Sequence, residues 1–286
     1  MELNKMIVVT GATGNIGAHL VRNLTEAGQE VTAVSRGSRD VALPEGVRSV
    51  VADLADPDSL APAVAGADAL FLLITGEQLV SGPDPERVLE VAKAGGVRRV
   101  VFVSSQGVAT RADADGYARL IAFEEAIQRS GLAWTILRPA GFYANTYAWA
   151  ESVRAERTVA APFGAIGLPS IDPADIAAVA ATALSEDGHD GQIYTLTGPA
   201  LSTPRDQAEA IGVALEAPVR FVELTRAQAF TGMSQFMPEP VVEHTLSILG
   251  EPTVAEQEIS PDVQRVLGRV PVSYAEWAQR NRAVFA

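Results

Sequence analysis

Short apolar runs alternate with amphipathic segments along the first half of the chain. The apolar runs predict strands at residues 6–9, 31–34, 48–51, 69–74, 97–104 and 133–137. The segments between them predict helices at residues 18–27, from Asp56-Pro57 onwards, from Asp84-Pro85 to Gly95-Gly96, and at residues 117–130. Because several strands are continuously apolar, both faces of their sheet should be covered. The alternation therefore predicts an α/β protein with a doubly wound parallel sheet.

The pattern changes after Arg138-Pro139. Beyond it, the sequence predicts an aromatic-rich helix at residues 142–157, an alanine- and valine-rich helix at 176–184 and a strand at 192–196. From residue 203 the chain is mostly helical with several prolines. We expect the parallel sheet in residues 1–145. We expect a smaller, mostly helical C-terminal substrate lobe in residues 146–286, with residues 170–198 partly returning to the main sheet.

A glycine-rich turn separates the first predicted strand from the first predicted helix. Gly11, Gly14 and Gly17 have the spacing GxxGxxG rather than GxGxxG. In such a turn the first glycine allows the tight bend, the second lets backbone approach a pyrophosphate, and the third lets the helix pack closely on the strand. The helix N-terminus then faces the anion. The turn predicts a dinucleotide site in a Rossmann-type domain, and an ordinary strand-to-helix turn is the alternative.

The composition narrows the classes of partner. The formal net charge is −13, which argues against nucleic acid and anionic membranes, because both attract clustered Lys and Arg. The chain has no cysteine and three scattered histidines, so we expect no disulfide, no thiolate catalysis and no metal site. We recognise neither a signal peptide nor an apolar run of membrane-spanning length, and we therefore expect a cytoplasmic protein.

The residues after the second predicted strand bear on the choice of cofactor. An acidic residue there would bond the ribose 2′-hydroxyl of NAD, whereas an arginine accommodates the 2′-phosphate of NADP. The chain has Ser35-Arg36-Gly37-Ser38-Arg39, with no acid before Asp40. Arg36 offers a planar fork that matches phosphate, and Arg39 can add charge. We expect NADP(H) in preference to NAD(H); a solvated loop arginine is the alternative.

Several motifs resemble those of the short-chain dehydrogenase/reductase superfamily. The matching segments are Gly11-Ala12-Thr13-Gly14-Asn15-Ile16-Gly17, Ala52-Asp53-Leu54 and Val101-Phe102-Val103-Ser104-Ser105. Three later segments resemble the NmrA-like atypical branch, which includes NAD(P)H:quinone reductases and non-catalytic redox sensors. They are Trp134-Thr135-Ile136-Leu137-Arg138-Pro139-Ala140-Gly141-Phe142-Tyr143-Ala144-Asn145, Asp172-Pro173-Ala174-Asp175-Ile176-Ala177 and Tyr194-Thr195-Leu196-Thr197-Gly198-Pro199.

The resemblance implies a set of cofactor-binding residues at the ends of the predicted strands. Asp53 matches the family residue that meets the adenine amino group, although a turn or cap aspartate is an equal alternative. Ile74 and Thr75 stand where the family runs its backbone past the nicotinamide ribose. The full set is Gly11, Thr13, Gly14, Asn15, Ile16, Arg36, Asp53, Leu54, Ile74, Thr75 and Ser104.

The proton-transfer dyad of the superfamily is missing. Orthodox members use Tyr-x-x-x-Lys, in which the lysine depresses the tyrosine pKa. Here Ile121 stands four residues after Tyr117, and residues 117–130 contain no lysine. Tyr117 is therefore a substrate-wall residue or a plain aromatic at a helix start. Arg138 should organise its turn, and Glu124-Glu125 should lie on a solvated helix face.

Two residues remain as candidate catalytic groups, Gln106 and Tyr143. Gln106 stands where many relatives carry a third Ser or Thr after the fifth strand. Its amide can donate a hydrogen bond to a carbonyl oxygen as a hydride arrives, but it cannot pass on a proton. A structural loop amide is the alternative for Gln106.

Aromatic residues are concentrated after Arg138. Phe142, Tyr143, Tyr147 and Trp149 fall within eight residues, in a chain with only 6% aromatics. Such a segment could form a wall for a flat aromatic substrate, or be the core-facing stripe of a helix. Asn145 bonds substrate or caps the following helix. The candidate substrate-binding residues are Tyr117, Phe142, Tyr143, Asn145 and Phe163.

These features together favour an NAD(P)H-dependent oxidoreductase. Its substrate would be a quinone or a polycyclic aromatic compound such as a polyketide, reduced by hydride transfer without the Tyr-x-x-x-Lys dyad. The alternatives are a non-catalytic NADP-binding redox sensor and a monooxygenase-type tailoring step on an aromatic polyketide. An isomerase or dehydratase with nicotinamide as prosthetic group is the weakest reading. The expected partner is a small aromatic substrate, with no nucleic acid and no membrane, for a monomer or homodimer.

Overall fold

A computed structural model describes residues 5–37, 42–76 and 78–286. Two compact units make up this part of the chain. The first unit holds the chain up to Pro139 together with Pro173–Leu196 and Asp262–Gly268. The second unit holds Ala140–Asp172, Thr197–Pro261 and Arg269–Ala286. The expected boundary after residue 145 falls inside the second unit, and Pro173–Leu196 lies within the range expected to return to the main sheet.

The strands of both units follow one numbering. In chain order they are β1 Met6–Thr10, β2 Glu30–Ser35, β3 Arg48–Val51, β4 Ala69–Leu73, β5 Arg99–Val103, β6 Ala133–Pro139, β7 Thr158–Pro162, β8 Gln192–Leu196 and β9 Arg220–Leu224.

The α-helices are numbered in the same way. They are α1 Gly17–Glu26, α2 Ala61–Val64, α3 Gln78–Ser81, α4 Pro85–Gly95, α5 Gly107–Thr110, α6 Ala118–Arg129, α7 Ala150–Glu156, α8 Pro173–Ser185, α9 Pro204–Ala214, α10 Arg226–Met233, α11 Glu239–Gly250, α12 Asp262–Leu267 and α13 Tyr274–Arg280. Short 3₁₀ segments lie at Pro57–Leu60, Asp115–Tyr117, Tyr143–Trp149, Ala255–Gln257 and Arg282–Val284. No helix of the described residues is both long enough and apolar enough to span a membrane.

The first unit is built on a parallel sheet. Among the described residues its strands lie in the order β3-β2-β1-β4-β5-β6-β8, and every neighbouring pair is parallel. On one face, Val8, Leu70 and Phe102 pack into a buried cluster with residues of α4 and α6. Alternate residues such as Phe71 and Val101 are also fully buried, and they face α1 and α8 on the other side. The predicted Rossmann-type doubly wound sheet is confirmed.

The second unit has its own aromatic core. Tyr143 packs edge-on against Tyr274, with ring centroids 5.1 Å apart, and its ring lies 6.0 Å from that of Trp277. Strands β7 and β9 pair in parallel, with Thr158 opposite Arg220. The sequence pattern did not predict this sheet, because both strands are short and their partners lie far apart in the chain. The helix expected at residues 142–157 is a 3₁₀ segment followed by α7, and this segment turns Tyr143 into the core.

The junction of β1 and α1 is unusually close. Gly11 has φ of +62°, a conformation that glycine adopts without strain, and the Gly14 N–H donates to its carbonyl oxygen at 2.9 Å. A Cβ on Gly17 would lie 2.2 Å from the same oxygen. Only a glycine at this position lets α1 begin directly against the turn, so the packing role expected of Gly17 is confirmed.

We predict that Gly17→Ala lowers the free energy of unfolding by about 2–3 kcal/mol, because the added methyl group collides with backbone. Gly232→Ala is the matched control, since a Cβ on that helical glycine meets no atom within 4 Å. The control should raise stability by about 0.5–1 kcal/mol, because alanine restricts the unfolded chain more than glycine does. Denaturant unfolding of both variants measures the difference, and an equal stability change in the two would contradict the close packing at Gly17.

Candidate functional site

The parallel sheet collects the predicted cofactor residues at one edge of the first unit. The glycine turn follows β1, Arg36 follows β2, Asp53 follows β3, and Ile74 and Thr75 follow β4. Ser104 follows β5. Because the strands are parallel and in register, their carboxyl ends lie side by side, and this edge is where open α/β sheets bind ligands.

Hydrogen bonds fix the glycine turn between its two neighbouring strands. The Ala12 N–H donates to the Val34 carbonyl oxygen at 3.2 Å, which links the turn to β2. The Thr10 hydroxyl is buried; it donates to the Phe71 carbonyl oxygen and accepts from the Leu73 N–H, both at 3.0 Å, which links β1 to β4. The turn is thus held before any ligand arrives.

The start of α1 fits an anionic group. The first N–H groups of an α-helix have no acceptor within the helix, and the helix dipole favours negative charge beside them. Thr13 and Gly14 are half-buried and Asn15 is exposed, so the turn is open to solvent on one side. Gly11, Gly14 and Gly17 carry no side chains, so their own backbone is open to a close approach at this end of the helix. These residues fit the pyrophosphate of a dinucleotide.

Arg36 is exposed directly after β2. The Ser35 hydroxyl oxygen beside it accepts a hydrogen bond from the Gly37 N–H at 3.3 Å, which shapes the backbone at this strand end. Ser38, Arg39 and Asp40, which entered the sequence argument for NADP(H), lie outside the described residues. Arg36 is therefore the residue on which a contact with a 2′-phosphate can be tested.

Gln78 joins two of the predicted cofactor residues. Its Nε2 donates to Asp53 Oδ1 at 3.3 Å, and its Oε1 accepts from the Thr75 N–H at 3.3 Å. Asp53 Oδ1 also accepts from the Ala55 N–H at 3.0 Å, so the turn role left open for Asp53 is present in the structure. The sequence reasoning missed Gln78, although its position three residues after Thr75 is a signal for a local side-chain bond to backbone.

Three of the predicted cofactor residues point inward. Ile16, Leu54 and Ile74 are each 6% exposed or less. Leu54 and Ile74 belong to the apolar cluster of the first unit. For these positions only backbone groups can face a ligand.

At the end of β5, the Ser104 side chain is bound to a buried carboxylate, and its contact with a cofactor stays a prediction. Its hydroxyl donates to Glu124 Oε1 at 2.5 Å, so its single hydrogen is directed to Glu124 and is not available as a donor to a cofactor. Glu124 itself is 4% exposed, and the prediction that it lies on a solvated helix face is wrong. The prediction failed because helix periodicity alone does not show that Arg138 stands opposite the carboxylate.

Gln106 is held by its backbone at the same edge. Its N–H donates to the Pro139 carbonyl oxygen at 2.9 Å, and the residue is 9% exposed. The Tyr117 ring packs against the next residue, since a Cβ on Gly107 would lie 1.9 Å from Tyr117 Cζ. Tyr117 is half-buried and also packs on the apolar cluster of the first unit. This is the packing of an aromatic residue at a helix start, and its contact with substrate stays a prediction.

In the second unit, the aromatic segment serves as core. Tyr143 is 2% exposed and its hydroxyl donates to the Val272 carbonyl oxygen at 3.3 Å. The Tyr147 hydroxyl donates to Asn281 Oδ1 at 2.8 Å, and burial raises the pKa of Tyr147. The alternative of a core-facing stripe therefore describes Tyr143 and Tyr147, and we do not carry Tyr143 forward as a catalytic residue.

The other predicted substrate residues of the second unit are more accessible. Phe142 is half-buried, and Asn145 is exposed with its N–H donating to the Phe142 carbonyl oxygen at 3.0 Å. Phe163 has φ of +56°, an uncommon conformation for a bulky residue, and is half-buried. It packs with other half-buried apolar residues over a small core of α10 and α11. This surface, which we call the α10–α11 patch, consists of Phe163, Phe230, Met233 and Met237.

Among residues 5–37, 42–76 and 78–286, no group of three or more His, Asp or Glu side chains is arranged to hold a metal ion.

Known proteins are similar to this chain over nearly its whole length. A (4-alkanoyl-5-oxo-2,5-dihydrofuran-3-yl)methyl phosphate reductase of Streptomyces griseus subsp. griseus is 36% identical over 284 residues, 98% of this chain and 99% of the relative. An NAD(P)H azoreductase of Xenophilus azovorans is 33% identical over 291 aligned positions, 98% of this chain and 99% of the relative. An NADPH-dependent quinone oxidoreductase from Escherichia coli, solved with NADPH, shares the fold with a TM-score of 0.78 at 24% identity, covering 96% of this chain and 99% of that one.

The two sequence relatives are named reductases and the solved structure shares this fold, which agrees with the dinucleotide site predicted from the glycine turn and the parallel sheet. The family expected from the sequence motifs is confirmed, and so is the expectation of an NAD(P)H-dependent oxidoreductase. The family model described as NAD(P)H-binding matches residues 11–187, which run from the glycine turn through α8. The chain belongs to this NAD(P)H-binding family.

Proposed function

We propose that this chain uses NADPH to reduce a quinone or a related electron-poor aromatic compound by hydride transfer. The observation that carries the proposal is the carboxyl edge of the sheet, where the glycine turn, Arg36 and Gln106 follow neighbouring or nearby strands of one parallel array. When bound there, NADPH supplies the hydride. The substrate takes up two electrons with that hydride and one further proton from water.

A few groups of the first unit bind the cofactor. The start of α1 neutralises the pyrophosphate, and the Arg36 guanidinium bonds the 2′-phosphate in a charge-assisted contact. The chain carries a net charge of −13, so these local donors act against the overall field. A preference for NADPH over NADH should therefore depend strongly on the one arginine.

Gln106 supplies the polar group for the reaction. Its side-chain amide donates a hydrogen bond to the substrate oxygen, where negative charge develops as the hydride arrives. No tyrosine–lysine relay is needed, because a reduced quinone oxygen takes its proton from water. This role agrees with the absence of lysine from residues 117–130.

The relatives support an electron-poor, unsaturated substrate. One relative is named an azoreductase, and another a quinone oxidoreductase. We propose that the substrate is small and carries an aromatic or quinonoid ring.

The first experiment follows NADPH and NADH oxidation with naphthoquinones, anthraquinones and an azo dye as acceptors, with and without oxygen. Acceptor-dependent oxidation with a preference for NADPH is the expected result. A requirement for oxygen would indicate the monooxygenase-type alternative. Tight NADPH binding without turnover of any acceptor would instead favour the redox-sensor alternative, which needs only the binding residues.

Arg36→Ala should weaken NADPH binding about ten- to a hundredfold and leave NADH binding almost unchanged, because only NADPH carries the 2′-phosphate. Dissociation constants from nicotinamide fluorescence measure both cofactors. Arg22→Ala is the matched control, since it removes the same charge from an exposed position of α1. Equal losses for NADPH and NADH in Arg36→Ala would remove the specificity argument.

Gln106→Ala should lower kcat about ten- to a hundredfold while the Kd for NADPH stays within about twofold, because the amide acts on the substrate oxygen and not on the cofactor. Steady-state kinetics and cofactor titration test this. The control is Gln128→Ala, the same change at an exposed position of α6. An unchanged kcat in Gln106→Ala would assign Gln106 to the structural loop amides.

A further inference from the structure

A buried carboxylate lies beneath the ends of β5 and β6. Glu124, on α6, is 4% exposed and accepts three hydrogen bonds. The Ser104 hydroxyl donates to Oε1 at 2.5 Å, and Arg138 donates through Nε to Oε1 at 3.0 Å and through Nη2 to Oε2 at 2.5 Å. All three residues belong to the first unit.

The surroundings of Glu124 contrast with those of its neighbour in sequence. Glu125 pairs with Arg129 one helical turn away, at 3.4 Å, and the two side chains are 59% and 64% exposed. An exposed pair of this kind contributes little. A carboxylate that is shielded from water needs a bidentate cation and further hydrogen-bond donors to offset its desolvation, and Glu124 has both.

A buried ion pair is weak evidence for stability, because desolvation of the two charges offsets much of their attraction. Its geometry is the more informative property. The two Arg138–Glu124 bonds and the Ser104–Glu124 bond fix three side chains relative to one another, and each comes from a different element: the end of β5, the end of β6 and α6.

Two backbone hydrogen bonds join Ser104 and Gln106 to the end of β6. The Ser104 N–H donates to the Leu137 carbonyl oxygen at 2.7 Å, and the Gln106 N–H donates to the Pro139 carbonyl oxygen at 2.9 Å. Ser104 and Arg138 therefore stand at the base of the segment that carries Gln106. The two backbone bonds tie residues 104–106 to β6.

We propose that Glu124 is a positioning residue that holds the Ser104–Gln106 turn through Ser104 and Arg138, and so sets the place of the Gln106 amide. The kinetic part of this proposal rests on the proposed function of Gln106. The structural part does not, because it concerns the backbone of residues 104–106 only. Loss of the carboxylate should affect turnover more than cofactor affinity.

The test compares Glu124→Gln with Glu125→Gln, the same change one residue further along α6. Amide hydrogen exchange, read by mass spectrometry on peptides that cover residues 104–107, reports the turn directly. Exchange in Glu124→Gln should be about tenfold faster there than in the wild-type protein. kcat should fall about tenfold or more, and the Kd for NADPH should stay within about twofold. Glu125→Gln should match the wild-type protein in all three measurements.

Ser104→Ala provides a second variant in case Glu124→Gln does not fold, since it leaves the Arg138–Glu124 pair in place. It should accelerate exchange at residues 104–107 and lower kcat, and Ser104→Thr, which restores a hydroxyl, should recover both. Unchanged exchange in folded Glu124→Gln or Ser104→Ala overturns the positioning role, whatever the activity. If the wild-type protein reduces no acceptor, the proposed function fails, while the exchange measurement still decides whether Glu124 holds the turn.

Discussion

In the described part of the first unit, every strand of the sheet runs parallel to its neighbours, so the loops that follow the strands must emerge at one edge. This constraint brings Gly11, Arg36, Asp53, Thr75 and Gln106 to one edge, although up to 95 residues separate them in sequence. Each loop needs only to leave its own strand in the right direction. The candidate site is therefore a consequence of strand pairing, and the close contact of α1 with β1 at Gly17 sets where its anion-binding end lies.

Polar side chains link neighbouring strand ends and loops at this edge of the sheet. Thr10 links β1 to β4, Gln78 links the loop after β3 to the loop after β4, and Glu124 links β5 to β6. None of these three is an expected ligand contact. They act instead on the backbone that carries the expected contacts, and a preorganised polar site depends on such support.

The second unit uses its aromatic residues differently from the expectation. The rings of Tyr143, Tyr147, Tyr274 and Trp277 pack together and form much of the core of this unit. Partly accessible apolar side chains of this unit include Phe163, Phe230, Met233 and Met237. An aromatic-rich sequence thus indicated a hydrophobic surface correctly, but could not show whether protein or ligand covers it.

The sequence by itself determined the elements whose signals are local. The sequence predicted the apolar strands of the seven-stranded parallel sheet to within two residues at each end. It also predicted the caps of α4 at Asp84 and Gly96 and the glycine turn. Turns, caps and periodicity can be predicted in this way because they depend on neighbours in the chain. The tertiary structure alone decided the pairing of β7 with β9, the burial of Glu124 against Arg138 and Ser104, and the packing of Tyr143 against Tyr274. Each of these joins residues that are distant in sequence or on different elements, and a side chain's pattern within its own helix or strand does not reveal which partner from another element will neutralise it or cover it.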